Sequence, residues 1–188
     1  EHHHQHQKEE QEEGEICAIC LETVPRWATE FVRFECCGKS MHKECEAQLN
    51  KSACGQNCPM CRAPVPTSRE EQHKGYLRWA KKGKAWAMGM VGSNFYIGRG
   101  VSESKEMARL WLEKAAEQGC PDAQYNLGTM HSFGEGGLPV SKEKARVWYE
   151  KAAEQGLTEA QFCLGCMHSR GEGGPVSKEK ARVWYEKA

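Results

Sequence analysis

Lys114-Ala-Ala-Glu-Gln-Gly119 returns unchanged as Lys151-Ala-Ala-Glu-Gln-Gly156, and Lys187-Ala188 begins it a third time. Around this phrase Trp111, Trp148 and Trp184 recur at intervals of 37 and 36 residues. The one-residue difference falls in a loop, Gly-Gly-Leu-Pro-Val against Gly-Gly-Pro-Val. A fixed period in the thirties marks stacked supersecondary units, none of which can bury its apolar face alone.

Each unit reads as two helices. In the second, Ala123, Leu127 and Gly128 lie along a first helix, which Gly134–Pro139 breaks. Ser141 is placed to cap a second helix, in which Ala145, Trp148, Tyr149, Ala152 and Ala153 follow the three-and-four spacing of one buried face. Gly156 stands where a glycine ends such a helix. The first unit aligns through Ala87, Val91, Gly92, Phe95, Gly98, Gly100 and Trp111. Residues 68–83 match the second helix of an earlier unit and are expected to cap the stack. The recurrent tryptophans are expected in the core, holding helix to helix.

The other half of the chain is read from its cysteines. Of eleven, all but Cys120, Cys163 and Cys166 lie between Cys17 and Cys61. Potential ligands run Cys17, Cys20, Cys36, Cys37, His42, Cys45, Cys58 and Cys61, mostly paired two residues apart, a spacing that can grip one tetrahedral zinc. In ligand order, alternate pairs can share a metal. Cys17, Cys20, His42 and Cys45 would hold one zinc, and Cys36, Cys37, Cys58 and Cys61 a second. Cys54, four residues before Cys58, is the other candidate for the second site. About fifty residues with few large apolar side chains need such a staple. Crowded thiols in paired spacing favour metal over disulfides, hence a reducing compartment, cytoplasmic or nuclear.

Glu15-Ile-Cys-Ala-Ile-Cys-Leu21 and Cys58-Pro-Met-Cys-Arg-Ala-Pro64 resemble the opening and closing motifs of the RING domain, the two-zinc module of many ubiquitin ligases. Lys39 stands where most of that family carry a histidine ligand, so adjacent Cys36 and Cys37 would supply both thiolates there. The resemblance implies a module without a nucleophile. It would bind a ubiquitin-charged conjugating enzyme and hold the thioester for attack by a substrate lysine, a gain of proximity and orientation. It also implies contact residues: Ile19 in the first zinc loop, Leu49 on the intervening helix, Pro59 in the second loop, and Arg62 as the linchpin bridging enzyme and ubiquitin. The helical units resemble the Sel-one-like repeat, a relative of the tetratricopeptide repeat, which implies a concave surface for a protein substrate or adaptor.

The expected fold class is therefore a small zinc-stabilised cross-brace RING domain (α+β) followed by an all-α solenoid of helical hairpins. Its parts are a disordered polar tail at 1–14, the zinc module at 15–66, a capping helix at 67–83, and repeats at 84–119, 120–156 and 157–188, the last truncated. Expected function follows: a ubiquitin-protein ligase with two zinc ions, or, as the alternative, a non-catalytic scaffold. The prolines of Arg62-Ala-Pro-Val-Pro-Thr-Ser68 make the connection short and stiff. The chain opens on Glu1 and stops inside a repeat, as a fragment would.

Balanced charge, 26 Lys+Arg against 26 Asp+Glu in 188 residues, argues against nucleic acid as partner. No apolar run approaches the ~20 residues of a membrane span. Cys163-x-x-Cys166 has metal-like spacing, but the preceding unit carries Asn126 and Thr129 there. His131 and His168 occupy the place of Phe95, which favours packing over ligation. Lys74, Arg78, Lys81, Lys82 and Lys84 read as one solvated helix face.

Overall fold

In the computed structural model the chain divides into two compact units, Glu1–Val65 and Pro66–Ala188. The structure describes residues 15–17, 23–24, 31–34, 37–43, 58, 61, 63–64 and 66–188. The tail at 1–14 lies outside them.

The cysteine-rich unit contains two antiparallel strand pairs. β1 (Glu15–Ile16) pairs with β2 (Thr23–Val24), and β3 (Phe31–Arg33) with β4 (Ser40–His42) in the register Phe31↔His42, Val32↔Met41 and Arg33↔Ser40. β4 touches both β1 and β2. Met41, Cys17 and Cys58 are buried here.

The helical unit runs α1 (Arg69–Ala80), α2 (Ala85–Ile97), α3 (Lys105–Glu117), α4 (Pro121–Phe133), α5 (Lys142–Glu154), α6 (Thr158–Arg170) and α7 (Lys178–Lys187). Each helix packs on the next, and α2 also reaches α4. The hairpins are α2–α3, α4–α5 and α6–α7; in each, the first helix is called A and the second B. α1 stands before the first hairpin and packs on α2.

Local signals set the ends. Ser68, Ser104, Ser141 and Ser177 each accept a hydrogen bond from the backbone N–H three residues on, at Glu71, Met107, Lys144 and Lys180. Gly98, Gly134 and Gly171 close the A helices in the left-handed conformation.

The core is built from small residues. Ala87, Ala108, Ala115, Ala123, Ala145, Ala152 and Ala160 are fully buried, with Val91, Leu112, Leu127, Met130 and Leu164 among them. Within a hairpin, a glycine on helix A receives a large residue from helix B. Leu112 lies against Gly92, Tyr149 against Gly128 and Tyr185 against Gly165. Between units, the loop glycine Gly136, at φ 63°, lies against the Lys105 carbonyl that opens the preceding B helix. Gly173 does the same at Lys142, and Gly100 at Arg69, which binds the half-unit α1 into the stack.

The tryptophans depart from expectation. Trp111, Trp148 and Trp184 are half-buried rather than core, because the residue after each takes the glycine notch. Each indole instead lies beneath a lysine one turn on, with Nζ 5.2, 4.3 and 4.4 Å from the ring centre for Lys114, Lys151 and Lys187.

Gly128→Ala tests the notch. An added Cβ would sit 2.7 Å from two Tyr149 ring carbons. Alanine gains about 1 kcal/mol of helix propensity, but overpacking costs about 1–3 kcal/mol. Melting by circular dichroism is expected to fall for Gly128→Ala and to recover in part when Tyr149→Ala accompanies it. A single variant that melts higher than the parent would contradict this packing.

Candidate functional site

The β3–β4 turn carries Cys37. Gly38 takes φ 70° and donates its N–H to the Phe34 carbonyl at 2.7 Å, while Phe34 N–H donates to Lys39 O at 3.0 Å. A second turn closes where Cys58 N–H donates to the Ala63 carbonyl at 2.7 Å, and Cys61 lies inside it. These two turns converge. The sulfurs of Cys37, Cys58 and Cys61 all lie within 4.8 Å of one another, with Cys37 Sγ and Cys58 Sγ 4.0 Å apart.

None of the three forms a disulfide. A disulfide would bring sulfurs to about 2.0 Å. Tetrahedral zinc, with Zn–S about 2.3 Å, spaces them about 3.8 Å apart. The observed separation fits the second geometry with slight contraction. Burial pushes the Cys37 thiol up, the Lys39 backbone N–H pulls it down, and Cys58 and Cys61 add to the rise.

Of the proposed second ligand set, the structure therefore brings Cys37, Cys58 and Cys61 together; Cys36 lies outside the described residues, as does the alternative Cys54. Of the first set, Cys17 is buried beside β1 and His42 is half-buried at the end of β4, while Cys20 and Cys45 lie outside the described residues. Ile19, Leu49, Pro59 and Arg62 also lie outside them. Lys39 is exposed.

In the helical unit the discounted groups behave as structural ones. Cys163 is half-buried against the core that α5 and α6 share, where burial pushes its thiol up. Cys166 accepts from Tyr185 OH at 3.4 Å. His168 is buried, and Arg146 Nη2 donates to it at 3.0 Å. Two units earlier in the stack the same place is an edge contact between the His73 and Phe95 rings, 5.3 Å apart, with Asn94 Nδ2 3.3 Å from His73 Nδ1. Lys74, Arg78, Lys81, Lys82 and Lys84 are exposed.

Successive units are also clamped electrostatically. Lys105, at the start of α3, lies 3.6 Å from Glu135 and 3.4 Å from the centre of the Tyr96 ring, and Tyr96 OH donates to Glu135 at 2.5 Å. Lys142 repeats this one unit on, 3.7 Å from Glu172 and donating to Ser132 Oγ at 2.7 Å.

The Sel1 repeat family model matches residues 87–120, 121–157 and 158–188. The chain belongs to the Sel1 repeat family. Among solved structures, a protective antigen of uropathogenic Escherichia coli strains with an SLR fold is 34% identical, at TM-score 0.62 over 65% of this chain and 26% of its own. A Sel1 repeat protein from Oxalobacter formigenes is 32% identical, at TM-score 0.59 over 63% of this chain and 49% of its own. Cysteine-rich protein B of Helicobacter pylori, at 18% identity and TM-score 0.52 over 64% and 89%, shares the fold. This chain thus spans about a quarter of the first relative and about half of the second. No curated protein matches. The family match lies wholly within the helical unit, which is a Sel1 solenoid. No helix among the described residues is long and apolar enough to cross a membrane.

The buried imidazoles give this solenoid a pH dependence of fixed sign. Burial holds His73, His131 and His168 below the ordinary value; Lys144 adds to this at His131, and Arg146 and Lys180 add to it at His168. As pH falls through about 6.5, the unfolded chain takes up protons that the folded chain refuses. Stability present above that pH is lost below it. Melting at about pH 5 is expected below that at about pH 7.5, with a smaller difference in His168→Gln. Equal melting at both pH values would contradict the buried neutral state.

Proposed function

We propose that this protein is a RING-type ubiquitin-protein ligase in which the Sel1 solenoid recruits the substrate or an adaptor. The observation that carries the reading is the convergence of Cys37 on Cys58 and Cys61. Those thiols lie on either side of the His42–Cys45 pair in sequence, which supports a cross-braced pairing over a sequential one. The motifs around Cys17 and Cys58 supply the rest of the argument.

In this reading Cys36, Cys37, Cys58 and Cys61 hold one structural zinc, and Cys17, Cys20, His42 and Cys45 another. The metal supplies folding energy and no reaction step. Ile19, Leu49 and Pro59 form a shallow apolar seat for a ubiquitin-charged conjugating enzyme. Arg62 offers a planar fork to carbonyls of enzyme and ubiquitin at once, restricting the conjugate so that its thioester stays exposed to an incoming lysine. The thiols stay reduced in the cytoplasm or nucleus.

The test is discharge of ubiquitin from a panel of charged conjugating enzymes to free lysine, with zinc measured on the same protein. The expected result is faster discharge with the parent chain. Arg62→Ala and Ile19→Ala should lower the rate about tenfold or more with zinc content unchanged, and Cys58→Ser should lose zinc and rate together. A zinc-loaded protein that accelerates no enzyme would leave a scaffold with two protein-binding modules.

A further inference from the structure

The unit boundaries repeat closely enough that each shows what belongs at the next. Lys105 reaches Glu135 in the loop one unit on, and Lys142 reaches Glu172 in the same way, at 3.6 and 3.7 Å. Gly136 and Gly173 lie against the backbone carbonyls of those two lysines. At the second boundary Arg146 Nη2 donates to His168 Nδ1 at 3.0 Å, and Tyr149 packs among Ala160, Leu164 and Met167 of α6.

The last hairpin carries the same contact surface. Ser169, Lys178, Ala181, Arg182, Tyr185 and Glu186 line a groove of about 410 Å³. They stand where Ser132, Lys142, Ala145, Arg146, Tyr149 and Glu150 stand one unit back, without a change of residue type. The hairpin beneath them is complete. The Phe162 and Tyr185 rings are 5.7 Å apart, as those of Tyr125 and Tyr149 are 5.6 Å apart. Tyr185 OH donates to Cys166 where Tyr149 OH meets Thr129. What changes is exposure. Tyr149 is 5% exposed and Tyr185 42%; the side chain of Arg146 is 13% exposed and that of Arg182 78%. The first set has α6 and its loop upon it, and the second offers the same chemistry to solvent.

We propose that this end face is a socket for an A-type helix and its following loop, offered by a partner protein. The boundary one unit back sets the chemistry of the occupant. An Ala-x-x-x-Leu stripe seats on Ala181 and Tyr185, as Ala160 and Leu164 share one core with Ala145 and Tyr149. A histidine four residues after the leucine accepts from Arg182, as His168 does from Arg146. Four residues further, a Glu-Gly pair meets Lys178: the glutamate takes its ammonium, and the glycine rests on its carbonyl, where a Cβ would collide as it would at Gly173. The apolar stripe supplies affinity and the two cations fix the register. The socket says what the recruiting solenoid holds and so rests on that reading; ubiquitin discharge to free lysine uses no recruitment, so the two fail separately.

The experiment titrates a fluorescent peptide with the sequence of residues 157–175, α6 and its loop, into the full chain and reads anisotropy. Saturable binding to the parent is expected. Lys178→Glu and Arg182→Glu should each weaken it about tenfold, with melting unchanged because both side chains are exposed. A second peptide carrying Glu172→Lys should bind the parent poorly and recover on Lys178→Glu, a reversal that a folding defect would not produce. No binding to the parent, or equal binding of the first peptide to the parent and both variants, would overturn the socket. Loss on Lys178→Glu without recovery by the second peptide would overturn the register that sets Lys178 against the glutamate.

Discussion

Tyr149 lies against Gly128, and the way this contact repeats decides the geometry of the helical unit. Because Gly92, Gly128 and Gly165 have no side chain, helix B can lay a large residue onto the backbone of helix A. Glycine inside a helix costs about 1 kcal/mol. The close approach offsets it by letting alanines at 87, 108, 115, 123, 145, 152 and 160 meet without voids. Everything outside follows from that spacing: the lysine that opens one B helix reaches the glutamate in the next loop, and a loop glycine can rest on the carbonyl of that lysine.

Much of this was legible in the sequence because repetition turns weak signals into strong ones. A single serine before a charged run is an ambiguous cap; Ser104, Ser141 and Ser177 at the same register are not. The half-unit reading rested on residues 68–83 as a whole, in which Gly83 stands four residues before Ala87 as Gly119 does before Ala123. The tryptophans were misread for a physical reason. Periodicity identifies which residues share a face, but two large neighbours, such as Trp148 and Tyr149, cannot both enter one notch. Sequence does not say which is shut out. The signal that could have decided it is the lysine three residues after each tryptophan, which marks a ring with one side in water.

The cysteine-rich unit was legible in a different way. Spacing alone made Cys58 and Cys61 neighbours, since one turn holds both. It could not by itself bring Cys37 to them across 21 residues; that depends on the β3–β4 hairpin, whose turn at Gly38 presents Cys37 toward the second turn. The pairing order was thus a statement about topology, and a hairpin with Ser40 opposite Arg33 is what brings the thiols together. Met41 on the same hairpin is fully buried.

The two units divide the problem of function unevenly. In the solenoid every fold-determining position faces inward or along the unit boundary, so the outer face of each B helix is free to carry something else. Folding alone would be served there by polar residues, and Glu113, Glu150 and Glu186, tied to arginines four residues back, are what such a face looks like. Leu110, Val147 and Val183 break that pattern at the same register each time. An exposed aliphatic side chain gains nothing in the folded monomer, and its recurrence beside a lysine-covered indole is a feature of the surface rather than of the stack.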